Sequence, residues 1–463
     1  MSQTKENKKV LNIDILDKYS WPQITRFLLI IMVIYALGSV FIANPFMYRI
    51  GKESVISYSN IMYAHGLTVG LASILCLVTC QIFDMSNHVR KYILLFAVVG
   101  IIIGVIAGAF NRSIEPPYWL WFQVLSFFAL DAVFASLIIG FIYVKNNELR
   151  HSLTYWLGLV ASISFLIAGI TGDIAGWILD FGEWPSIIPW WARFVGFESV
   201  PRFMSRLIRA HSHIMIASLF STLIVIISWK YGRLLTGSAV VMKKTGESLV
   251  LLGLLLADVL FLIDGYGGPL FQTPKVFTSA PLTDLVVSIG IMGGGTLVVV
   301  SIYFGKRASS YQPSAEKRAA ITSISLTWIL MFLILSGIGV MMDLNASLWN
   351  SHGNGLLAEN GFSYRFLHQD LTFLLFPAVI IIMILIQHWL SPQKGKMINI
   401  LLRSGVVLCF LGAMLYVLLI PELKGPGYWV ISAGFLLIII SISYFLLYGK
   451  FNKNESAYIN KND

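Results

Sequence analysis

Charge is scarce in this chain. Lys, Arg, Asp and Glu together make up 12% of 463 residues, about half the share of an ordinary soluble domain. That excludes a large water-soluble fold. Cysteine is scarcer still: Cys76, Cys80 and Cys409 are the three, each set inside an apolar run, so a disulfide framework is excluded. Cys76 and Cys80 stand at helical spacing and are expected to pack as small hydrophobes. The first 25 residues are polar and the apolar run after them is long enough to span, so no cleavable leader is expected.

Hydrocarbon takes the place of charge. The chain is 57% hydrophobic, with a mean hydropathy of +0.77, which places it among multi-pass all-α membrane proteins. Runs of about 20 apolar residues, the length a helix needs to cross a bilayer, predict twelve spans. They cover 26–46, 60–83, 92–111, 118–145, 152–178, 206–229, 248–268, 284–305, 319–342, 365–390, 400–420 and 427–448. The expected organisation is therefore a cytoplasmic segment 1–25, a membrane domain 26–448 and a cytoplasmic tail 449–463. The alternate connections that include both termini carry 23 of the 33 Lys and Arg. By the positive-inside rule those connections face the cytoplasm, in a plasma membrane, and even-numbered helices run from outside to inside. The net charge of +10 is accounted for by topology, and no nucleic-acid partner is expected.

Three helix starts resemble one another. The second span opens NIMYAHGLTVGLAS, the sixth RLIRAHSHIMIASL and the tenth YRFLHQDLTFLLF. Each places a histidine (His65, His211, His368) in the first turns of an outside-to-inside helix. The helices are four apart in order, so three four-helix arcs with a histidine at one depth are the simplest description. His213 follows His211 at i+2. Successive helical residues turn by about 100°, so these two rings aim to opposite sides and cannot grip one metal from a regular helix. If both are ligands they serve two centres, with His65 and His368 as opposing ligands. Imidazole nitrogen is a common axial ligand of haem iron.

The twelve-helix pattern and the YAHG around His65 resemble the main subunit of the haem–copper oxidase superfamily, which includes terminal oxidases and nitric oxide reductases. The resemblance implies three arcs of four helices, cytoplasmic termini and two haems toward the outer face. His65 and one of His211 and His213 would hold the first haem; the other of that pair and His368 would hold the second. It further implies respiratory electron transfer from a quinol or an extracytoplasmic carrier, an additional membrane or redox subunit, and reduction of oxygen or nitric oxide wherever an iron keeps an open position. The chain departs from that family in several ways, among them a seventh helix without histidine and the lack of the mid-membrane lysine and glutamate of the family's proton channels. Its His-x-His lies on the sixth helix rather than the tenth, where Asp370 stands in the second position, and it has no adjacent histidine pair. Copper would therefore lack its usual ligand set.

Other residues bear on the same end of the bundle. Arg193, Arg206 and Arg209 lie on the outer side against the positive-inside trend, and a guanidinium fork matches the carboxylates of haem propionates. The plainer alternative is pairing with lipid headgroups or loop carboxylates. Asp131, Asp173 and Asp258 fall within spans, where a carboxylate is by default a proton or ion step. Asp173 and Asp264 are near enough to the outer face to be solvated instead. Met62, Met204 and Met215 serve either as metal ligands or as core fillers. Gly293–Gly295 is expected to permit close helix packing. A second function class uses the same histidines differently, as transient sites of a metal-ion or proton-coupled transporter.

Overall fold

A computed structural model describes residues 21–43, 58–110, 118–144, 146–181, 200–267, 287–308, 313–344, 375–389, 392–417 and 421–448. Among them are twelve helices of eleven residues or more: α1 (Trp21–Ala43), α2 (Tyr58–Ile82), α3 (Asn87–Phe110), α4 (Tyr118–Ile142), α5 (Leu153–Phe181) and α6 (Val200–Gly232). There follow α7 (Ser238–Leu262), α8 (Gly294–Phe304), α9 (Ala315–Leu344), α10 (Phe376–Trp389), α11 (Pro392–Val417) and α12 (Pro421–Tyr448). Each predicted run overlaps one of these helices; 44–46, 284–286, 365–374 and 418–420 lie outside the described residues. In hydrocarbon no water is available to satisfy backbone N–H and C=O groups, and a helix satisfies them within the segment.

Eight helices (α3, α4, α5, α6, α7, α9, α11 and α12) are long and apolar enough to cross a membrane. In α1, α2, α8 and α10 the apolar portion among the described residues is shorter. Of the two terminal segments, 1–20 and 449–463 lie outside the described residues, while 21–25 belong to α1. The sixth, seventh, eleventh and twelfth helices begin six to ten residues earlier than the hydropathy predicts. Their first turns carry Arg, Lys and Glu, which lower hydropathy without lowering helix propensity.

Consecutive helices pack as antiparallel pairs, α3 with α4, α5 with α6, α7 with α8 and α11 with α12. The first and last helices also touch: the Arg26 guanidinium donates to the Leu446 and Leu447 carbonyls at the end of α12. Helix α6 is the most deeply buried of the eight, with 78% of its apolar stretch covered against 39–56% in the others. It contacts α2, α5, α7, α8 and α10, and α2 and α10 also contact each other. The three histidine-bearing spans of the sequence are thus mutual neighbours.

Two departures from α-helical winding flank the loop between α7 and α8. A π-helical turn at Ile263–Gly267 ends α7, and another at Ser288–Gly293 leads into α8. The two helices pack backbone to backbone. A Cβ added at Gly294 would lie 2.8 Å from the Gly246 carbonyl oxygen, and one at Gly253 would lie 2.9 Å from the Gly290 Cα. Of the three glycines expected to allow close packing, Gly294 meets the α7 backbone and Gly295 the Trp328 ring of α9, whereas Gly293 has only the Ser288 carbonyl of its own segment within 4 Å; Gly246 and Gly253 complete the contact on α7.

Candidate functional site

Both candidate histidines of α6 are half-buried, and different neighbours hold them. A carbonyl oxygen can only accept, so the proton positions follow from the contacts. The His211 ring donates from Nδ1 to the Ala168 carbonyl of α5 at 2.8 Å. Gly172, one turn further along α5, lies under that ring: an added Cβ would fall 3.0 Å from Cγ and nearer still to Cε1. The His213 ring donates from Nδ1 to the Arg209 carbonyl of its own helix, also at 2.8 Å. It lies against Phe261 of α7, with ring centroids 4.6 Å apart. His211 therefore faces α5 and His213 faces α7, the divergence that i and i+2 spacing imposes.

The shared hydrogen-bond pattern has a chemical consequence. With a proton on Nδ1, the neutral form of each imidazole carries its lone pair on Nε2. A carbonyl on the far nitrogen is the usual outer-shell support for a ligating histidine. Among the described residues, no three His, Cys, Asp or Glu side chains gather as a metal-ligand group. His65 belongs to α2, but its side chain lies outside the described residues, as do His368 and Arg193 entirely. Met215 is buried in the core.

The mouth of the site is clasped by ions and aromatics. Arg206 of α6 donates to the Asp264 carboxylate at 2.5 Å, with 32% and 17% of the two side chains exposed. Asp264 is thus paired rather than merely solvated, because the π-helical turn swings it onto α6. In the same turn, Tyr266 donates to Thr171 of α5 at 3.3 Å and meets Phe203 edge-on. Gly265 sits against Ala210, where a Cβ would have only 3.0 Å. Arg209 is half-buried beside them.

The carboxylates expected inside the membrane also find partners. Asp131 of α4 and Asp173 of α5 hydrogen-bond to each other, and the missing side chain at Gly169 leaves room for the Asp131 carboxyl. Asp173 is consequently not simply solvated at the outer face. Asp258 of α7 accepts from the Ser164 hydroxyl at 2.5 Å. One buried acid escaped sequence reasoning. Glu247 is 1% exposed and accepts from Thr154 of α5 at 2.5 Å and from Ser228 of α6. Lys243 lies 3.4 Å away, one turn back on α7. The stretch MKKTGE reads as a charged connection, yet its Lys and Glu stand at i and i+4, the spacing of a helical ion pair. The chain matches no known family model and no curated protein.

Proposed function

We propose that this protein is a haem-binding, twelve-span membrane protein of the haem–copper oxidase type, engaged in respiratory electron transfer. The observation that carries the proposal is the paired Nδ1–H donation of His211 and His213 to backbone carbonyls. In the neutral form it leaves the lone pair of each ring on Nε2, the nitrogen then able to ligate, while His211 lies against α5 and His213 against Phe261 of α7. Mutual contact of α2, α6 and α10 supports it, since ligands from these three helices would need to converge.

The residues present are suited to a porphyrin. His211 and His213 would each offer one axial nitrogen to a separate haem, with His65 and His368 as opposing ligands. Gly172 fits as the residue that leaves space beside the His211 ring. Arg206 and Arg209, and Arg193 in the outer segment, would meet propionates. Arg206 would then be shared with Asp264, whose carboxylate holds the guanidinium in place. When bound, the haems supply one-electron chemistry, and an iron keeping an open position would bind oxygen or nitric oxide. The residues themselves orient the ring nitrogens, keep their protons on Nδ1 and shield the site behind the Tyr266–Thr171 contact. The donor is a quinol or an extracytoplasmic carrier, with a further redox or membrane subunit as partner.

Pyridine haemochrome analysis of the purified protein tests the proposal against the transporter alternative. Two haems per chain are expected. A colourless preparation that takes up a divalent metal instead would favour transport.

A further inference from the structure

Residues 168–173 of α5 meet three neighbours at once. Ala168 and Gly172 face α6: the Ala168 carbonyl accepts from His211, and Gly172 makes room for the ring. Gly169 and Asp173 face α4, where Gly169 makes room for the Asp131 carboxyl and Asp173 hydrogen-bonds to it. Thr171, between them in sequence, accepts from Tyr266 of the π-helical turn.

Helical spacing explains how so short a stretch serves both α4 and α6. Residues i and i+4 lie about 40° apart around a helix, so 168 with 172 and 169 with 173 form two stripes. The stripes are one residue out of step, about 100° around the axis and about 1.5 Å along it. His211 and Asp131 therefore meet α5 at one level, from adjacent sides. The two glycine notches match as well. An added Cβ would fall 3.0 Å from the Asp131 Cγ at Gly169 and 3.0 Å from the His211 Cγ at Gly172, and nearer still to a polar atom of each group.

A carboxylate can only accept, so a bond between two carboxyl groups requires a proton on one of them. Asp131 and Asp173 are both half-buried, and without that proton two like charges would repel across the α4–α5 contact. An apolar contact here would hold the helices together yet let α5 slide and turn. A hydrogen bond between two short side chains restrains both motions. The bond from His211 needs that restraint, because the Ala168 carbonyl moves with its helix. From 2.8 Å, a displacement of about 0.4 Å takes such a bond to the edge of its normal range.

We propose that Asp131 and Asp173 are positioning residues for His211. Their bond holds residues 168–173 at the depth and rotation at which the Ala168 carbonyl accepts from His211 Nδ1. The inference rests on the haem reading above, since it concerns the ring that would ligate. Both acids act through α5, and neither serves as a proton or ion step. His213 takes its support from its own helix and does not depend on the pair.

The test compares haem content and absorption spectra of purified full-length variants. The His211 haem is identified as the spectral component that His211→Ala lacks. Asp131→Ala removes the bond, and at least half of that haem should be lost or turn high spin while the His213 haem is unchanged. Asp131→Asn supplies an amide N–H that donates to the Asp173 carboxylate with no shared proton, so its spectrum should match wild type. That rescue separates positioning from a requirement for the acid itself. Gly169→Ala is the deciding variant if Asp131→Ala does not elute as a folded protein. Its Cβ displaces the Asp131 carboxyl with both acids still present, and the same loss is expected. A His211 haem within a tenth of wild type in the deciding variant overturns the proposal, and so does an Asp131→Asn spectrum as altered as that of Asp131→Ala. Wild type without haem would remove the haem reading and this inference together. Wild type with full haem and an unresponsive His211 component would remove the positioning role alone.

Discussion

His211 and His213 are two residues apart in sequence but belong to different surroundings. His211 is tied across a helix boundary, its proton on an α5 carbonyl and its face against a glycine. His213 is tied to its own helix and braced by an aromatic ring of α7. The comparison teaches that equivalent proton placement can be reached by unlike supports. The position of His211 depends on how α5 and α6 dock. His213 keeps its Nδ1 partner as long as α6 stays helical, and only its rotation about the side chain depends on α7.

The sharpest way to break the comparison is to remove each ring. His211→Ala and His213→Ala should each eliminate one of two haems and leave the other, giving haem-to-protein ratios near half of wild type by haemochrome. Loss of both haems in either variant would mean that the two sites fold as one. Next in size is Gly172→Ala. Its Cβ would meet the His211 ring, so the His211 haem should be depleted or shifted to high spin in the absorption spectrum, with the His213 haem unchanged. Phe261→Leu should do the converse more gently. An aromatic contact contributes about 0.5–1.5 kcal/mol beyond its buried area, so a shifted midpoint potential of one haem is expected rather than its loss. The smallest effect belongs to Asp264→Asn. The Arg206 pair is partly solvated and contributes about 1 kcal/mol or less. Thermal unfolding should move by only a few degrees, with haem content retained.

The helices were legible because hydropathy reports a backbone requirement that any apolar span must meet. Each of the twelve runs overlaps a helix among the described residues, and the divergence of His211 and His213 follows from helical geometry alone. The start of α7 was not legible, since Lys243, Lys244 and Glu247 read as a charged connection until tertiary contact shows Glu247 enclosed by Thr154 and Ser228. The π-helical turn at Ile263–Gly267 leaves no periodic trace, and it is what brings Asp264 to Arg206 and Tyr266 to Thr171. The partners of Asp131 and Asp258 depend on inter-helix register, which no single helix encodes. His65, by its side chain, and His368 and Arg193 altogether fall outside the described residues.

The central claim is that imidazole nitrogens of α6 bind porphyrin iron, and the His211→Ala/His213→Ala double variant tests it most directly. Haem content per folded chain should fall from two to none while the elution profile and helical circular dichroism stay those of wild type. A folded double variant that keeps its haem would contradict the account.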